Sequence, residues 1–98
     1  MFTVKTLPEF DQWLNAFKDP QIRLRLARRL DKAARGIFGD IKPVGDGVWE
    51  MREHFGAGYR LYYVQRGNTL IVMLAGGDKS TQTRDIAQAQ QRARTLEE

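Results

Sequence analysis

Cysteine is absent from all 98 residues, so neither a disulfide framework nor a thiolate nucleophile or metal ligand is open to this chain. Its one histidine, His54, leaves a histidine-based zinc site remote. Catalysis by such a chain is expected to be metal-free and to use charged groups, with no small-molecule cofactor. No stretch approaches the ~20 apolar residues needed to span a bilayer. The opening Met-Phe-Thr-Val-Lys lacks the charged start and apolar run of a signal peptide. A cytoplasmic protein with no membrane partner is the expectation. Repeats and low-complexity segments are missing too. Acidic residues are in the minority, 12 against 16 Lys plus Arg, for a formal charge of +4. That imbalance favours a polyanionic or acidic partner without identifying one.

What is present is the composition of a folded domain. Hydrophobic residues make up 42% and charged residues 29%. A chain of 98 residues has room for one core, hence one domain over 1–98. A short β-branched run at residues 2–5 predicts a first strand, and Pro8 suits the first turn of a helix over 8–17. Phe10, Trp13, Leu14 and Phe17 fall at i, i+3, i+4 and i+7, which makes an aromatic stripe for the core. Asp19-Pro20 is a helix start, with aspartate as cap and proline next, and the second helix runs to about residue 35. Its inner stripe is Ile22, Leu26, Leu30, Ala33, Ala34 and Ile37. Arg23, Arg25, Arg28, Arg29, Lys32 and Arg35 fill the rest, opposed only by Asp31. Such a one-sign face is either a solvated surface whose long side chains cover apolar neighbours or a nucleic-acid footprint.

Residues 36–47, rich in Gly, Pro and Asp, read as a connecting loop. From Val48 the hydrophobic period switches to two. Trp49, Met51 and Phe55 alternate with Glu50, Arg52 and His54, the pattern of a strand with one buried and one exposed face. Gly56-Ala57-Gly58 is the turn. The return strand, residues 59–65, puts Tyr59, Leu61 and Tyr63 on one side and Arg60, Tyr62 and Val64 on the other. Residues 69–75 form an apolar central strand. Gly76-Gly77 ends it, and a last helix begins near Asp78 with Ser80 or Thr81 as cap; its thin stripe of Ile86, Ala89, Ala93 and Leu96 predicts loose packing. The order β-α-α-β-β-β-α implies an α+β fold: a helical hairpin on one face of a mostly antiparallel four-stranded sheet, with the second face partly open.

On that open face Arg52 and His54 lie two apart, and Arg60 on the neighbouring strand faces them. Cleaving RNA without a metal needs a group to take the 2′-hydroxyl proton, a cation for the charge growing on phosphorus, and a donor for the departing 5′-oxygen. Arginine is a permanently charged fork for phosphate oxygens, and histidine is the side chain that titrates nearest neutrality. Lys79, just before a helix N-terminus, is a further anion-binding candidate, and Tyr62 has a ring to stack on a base. The competing readings are an Arg–Glu50 pair across the strands, an incidental surface histidine and an ordinary surface lysine.

Trp49-Glu-Met-Arg52, Gly58-Tyr-Arg60-Leu-Tyr62 and Gly76-Gly-Asp-Lys-Ser-Thr-Gln-Thr-Arg-Asp-Ile86-Ala together resemble the RelE/ParE superfamily of toxins, specifically its HigB-like group of addiction-module killer proteins. The resemblance extends through Phe10-Asp-Gln-Trp-Leu14, Arg28-Arg-Leu-Asp31 and Phe38-Gly-Asp-Ile-Lys-Pro-Val-Gly45. It implies a RelE/ParE-like fold and a type II toxin that cleaves mRNA in the ribosomal A site until a cognate antitoxin, typically with a helix-turn-helix domain, neutralises it. By motif, the catalytic positions become Arg52, His54, Arg60 and Lys79. Arg25, Arg28, Arg29, Lys32, Tyr62 and Arg84 become the RNA-binding set. The late tyrosine of RelE has no counterpart after Tyr63. ParE-type members use the same fold to inhibit DNA gyrase without cutting RNA, so gyrase inhibition is the alternative activity, and a basic interaction module without toxicity is the blander one.

Overall fold

A computed structural model describes residues 1–96. Strand β1 (Thr3–Thr6) leads into α1 (Pro8–Asn15) and α2 (Pro20–Ala34); β2 (Ile41–Pro43), β3 (Trp49–Arg52), β4 (Tyr59–Arg66) and β5 (Leu70–Asp78) follow. A 3₁₀ turn (Lys79–Thr81) then opens α3 (Gln82–Thr95). Pro8 stands in the first turn of α1, where its missing N–H leaves nothing unpaired. Asp19 caps α2 as its sequence position predicts, its carboxylate accepting from the Gln21 backbone N–H at 2.9 Å. Thr81, one of the two caps expected, is the N-cap residue of α3 but makes no side-chain cap bond; the 3₁₀ turn before it is capped by Asp78, which accepts from Ser80 N–H at 2.8 Å. The Ser80 hydroxyl also donates to Asp78, and this hydrogen bond holds the Asp78 carboxyl below its ordinary pKa.

The sheet has five strands in the order β1-β5-β4-β3-β2. Strand β1 runs parallel to β5 and the other pairs are antiparallel. The expected four-stranded sheet is therefore corrected by β2, taken from sequence as loop: Ile41 pairs with Met51 and Pro43 with Trp49. A three-residue strand carries almost no alternation to read, and Pro43 is tolerated because β2 lies at the sheet edge. Strand β5 also runs beyond Ala75, because Gly76 and Gly77 stay paired with Leu61 and Arg60.

Helices α1 and α2 cover one face, packing Phe10, Leu26 and Ala33 on Met51, Tyr59, Leu61, Tyr63, Ile71 and Met73. Fully burying a side chain of Phe or Leu size stabilises by roughly 1.5–3 kcal/mol. Tyr59 and Tyr63 fill this core as expected, and burial pushes the Tyr63 hydroxyl up to about 12. Ile37, expected on the inner stripe of α2, is instead exposed, since the helix stops at Ala34.

The second face is not open. Helix α3 lies on it and buries Ala89 and Ala93 against Val48, Tyr62, Val64, Val72, Leu74 and Ala75. The thin apolar stripe had predicted loose packing, but alanines let the helix backbone come close to the sheet. No helix among the described residues is long and apolar enough to cross a membrane.

Strand β5 is pinched between helices at its two glycines. A Cβ on Gly76 would fall 2.1 Å from the Trp13 ring of α1, and one on Gly77 would fall 1.8 Å from Asp85 Oδ2 of α3. Gly76→Ala is expected to cost about 1–3 kcal/mol through overpacking, read as a lower urea midpoint. An unchanged midpoint would show that the indole has room to swing aside.

Candidate functional site

Arg25, Arg28 and Lys32 stand exposed on α2. With Arg29, Ile37, Gly39 and Glu53 they line a cavity of about 310 Å³. The Arg25 guanidinium lies 3.8 Å from the centroid of the Phe55 ring, which fixes one wall by a cation–π contact. Three exposed cations around one concavity make a site for an anion with more than one phosphate.

Arg29 differs from its neighbours. It is buried and turned toward the sheet. One guanidinium nitrogen donates to the Arg52 carbonyl at 2.9 Å and pairs with Glu53; the other donates to the carbonyls of Phe38 at 2.8 Å and Asp40 at 3.0 Å. The expectation that Arg29 binds RNA gives way to a structural role, since both terminal nitrogens are already committed. Gly39 makes room for them: its φ is +66°, and a Cβ there would lie 3.0 Å from the guanidinium.

The same clamp holds the residues that lead into His54. Strand β3 ends at Arg52, so His54 does not share a strand face with Arg52 as the alternation implied; it lies in the loop beyond. There its Nε2 is 2.7 Å from Asp40 Oδ2, with both side chains open to solvent. This hydrogen bond holds the Asp40 carboxyl below its ordinary value, and the charges of His54, Arg52 and Arg29 act in the same direction.

Arg52 and Arg60 do face each other across β3 and β4. Two like charges opposed on a sheet repel, and Glu50, fully buried, compensates both: Oε1 lies 3.0 Å from Arg52 Nε and 3.8 Å from Arg60 Nε. Its other oxygen accepts from Gln82 Nε2 at 2.8 Å, which ties the start of α3 to the sheet. Glu50 thus corrects the reading of an exposed strand face. Arg60 is 5% exposed and donates to the carbonyls of Tyr59 at 3.1 Å and Gly58 at 3.2 Å, whereas the Arg52 side chain keeps 29% exposure. Tyr62 is also corrected: it is wholly buried under α3, where no base can stack on it. Burial, then the adjacent Glu50 carboxylate, drives its hydroxyl far above the ordinary tyrosine value.

The structure thus gathers the α2 cations around one groove, joins Arg52 to Arg60 through Glu50, and turns His54 to Asp40. Lys79 is exposed in the 3₁₀ turn with its stem laid over Gly58, where a Cβ would meet Lys79 Cε at 2.8 Å. Arg84 is exposed on α3, 3.4 Å from the buried Asp85. Sequence reasoning missed Asp40 as a partner of His54 and Gln82 as a partner of Glu50. It had a signal for Arg29, which is three residues after Leu26 and four before Ala33, all on one helical face.

Residues 12–94 match the family described as "Phage derived protein Gp49-like (DUF891)". The chain belongs to this Gp49-like family. The family is associated with toxin–antitoxin modules, and its members are typically paired with an antitoxin. A protein of Haemophilus influenzae, recorded as "Uncharacterized protein", is 42% identical over 93 residues, spanning 95% of this Gp49-like chain and 94% of its own length. No solved structure matches.

Proposed function

We propose that this Gp49-like chain is the toxin of a type II toxin–antitoxin module. Its activity in this reading is metal-free cleavage of mRNA on the ribosome, as in the RelE/ParE superfamily and its HigB-like group, and a cognate antitoxin holds it inactive. The observation that carries this is the three-cation groove of α2 with the Asp40–His54 pair on the segments that form its rim. RNA backbone lies along Arg25, Arg28 and Lys32. Arg52, the more exposed of the β3–β4 arginines, reaches the scissile phosphate; Arg60 acts through Glu50, setting where Arg52 stands. His54 moves the proton, and Lys79 and Arg84 extend the cationic surface.

A second reading, ParE-like inhibition of gyrase without cleavage, is favoured by one observation: Arg52 and Arg60 share a buried carboxylate, which weakens their joint pull on phosphate. Expression without the antitoxin separates the two. Growth arrest with mRNA cut within codons supports the nuclease, and arrest with intact mRNA supports the inhibitor. No arrest at all leaves only a basic interaction module. Replacing Arg25, Arg28 and Lys32 together by Gln is expected to flatten the salt dependence of single-stranded RNA binding by about two units of log–log slope, measured by fluorescence anisotropy. An unchanged slope would remove the groove from the RNA path.

A further inference from the structure

We propose that Asp40 is a positioning residue for His54, making the two an acid–base dyad built on Arg29 at the rim of the α2 groove. Its catalytic role rests on the nuclease reading above; the dyad itself does not.

An exposed ion pair by itself means little, because most such pairs contribute almost nothing to stability. The frame beneath this one sets it apart. Asp40 and His54 are 14 positions apart in the chain, yet the segments that carry them are fastened to one buried guanidinium. Arg29 holds the Asp40 carbonyl and, in the two residues that lead into His54, the Arg52 carbonyl and the Glu53 side chain. The Arg52 backbone N–H also donates to the Asp40 carbonyl at 3.0 Å, which locks the two segments together. Gly39 and Glu53, the residues just before Asp40 and His54, line the groove. The charged groups around the pair are Arg29 and Arg52, which act on the Asp40 carboxyl, and Glu53, which Arg29 neutralises. On the next residue, Phe55, Arg25 lies over the ring.

An ionised carboxylate only accepts hydrogen bonds. Asp40 therefore fixes the proton of the neutral imidazole on Nε2, leaving the Nδ1 lone pair for substrate. In the reaction Nδ1 takes the proton of the RNA 2′-hydroxyl as the 2′-oxygen bonds to phosphorus. The bond from phosphorus to the 5′-oxygen breaks, and that oxygen takes a proton from water. The hydroxide left behind recovers the proton from the imidazolium, so the products are a 2′,3′-cyclic phosphate, a 5′-hydroxyl and the enzyme as it began. Asp40 stays ionised throughout and stabilises the imidazolium.

Two measurements test this. In the first, the Asp40 side-chain carboxyl is titrated by carbon NMR in the intact protein and in His54→Ala. Its midpoint is expected to rise toward the ordinary aspartate value in the variant, and an unmoved midpoint would overturn the dyad whatever the activity. In the second, kcat and KM are measured for cleavage of ribosome-bound mRNA. His54→Ala is expected to lose roughly 10²–10⁴ of the rate. Asp40→Asn is expected to lower kcat with KM little changed, since a neutral amide no longer sets the Nε2–H tautomer or stabilises the imidazolium. A paired Asp40 whose Asn variant retains the original kcat would overturn the positioning role and spare the nuclease. A paired Asp40 in a protein that cuts nothing would overturn the nuclease reading and the catalytic role with it.

Discussion

Glu50→Ala is expected to lower the unfolding free energy by about 3–5 kcal/mol, because removing one partner of a buried ion pair strands the other. Glu50 is wholly buried, and Arg60, at 5% exposure, would be left a buried cation with only carbonyls around it. Gln82 would lose its acceptor as well, so the first turns of α3 should exchange amide hydrogens faster. Urea denaturation gives the size of the effect, and a loss under about 1 kcal/mol would mean that the pair contributes little beyond its desolvation cost. A double variant, Glu50→Leu with Arg60→Met, separates charge from shape. If the penalty is the stranded cation, the apolar pair should recover most of the loss, since buried ion pairs replaced by apolar side chains are often neutral or better.

Arg29→Met should cost about 3 kcal/mol, from unpairing part-buried acceptors at up to ~1–3 kcal/mol each, less what solvent re-pairs. The guanidinium donates to the carbonyls of Phe38, Asp40 and Arg52 and pairs with the Glu53 carboxylate, and of these the Asp40 carbonyl would keep the Arg52 backbone N–H. Arg28→Met, one residue earlier and exposed, should stay within about 0.5 kcal/mol. Measuring both variants by chemical denaturation turns the contrast between adjacent arginines into a direct test. Equal effects would show that the clamp does not bear on stability.

Those two arginines also show how far the sequence could be read. The order of its longer elements was legible because each had an unbroken period: aromatic spacing in α1, the Asp19-Pro20 start of α2, and alternation along β4. Three things were not. Strand β2 was too short for a period. Arg29 was counted with the other cations of α2, although its spacing from Leu26 and Ala33 put it on the buried face; charge masked position. The most consequential was α3. Alternation correctly placed Arg60 and Tyr62 on one side of β4, but which side faces water depends on what packs there, and two alanines are a faint sign of a helix seated tightly on a sheet. Of the candidate site, the α2 cations and the Arg52–Arg60 pairing were legible. The Asp40–His54 pair was not, because it is made by two loops whose meeting depends on Arg29.

The parallel pairing of β1 with β5 bears on how the chain acquires its shape. Thr3 to Thr6 find their partners at Leu70 to Met73, and Trp13 of α1 lies against Gly76 of β5. Synthesis delivers the strand that seats both, β5, only after β1, both helices and the three strands between have been made. Contacts this distant in sequence slow folding, since a long loop must close before they form. A nascent chain still tethered to its ribosome thus has helices without a floor to rest on until β5 has emerged.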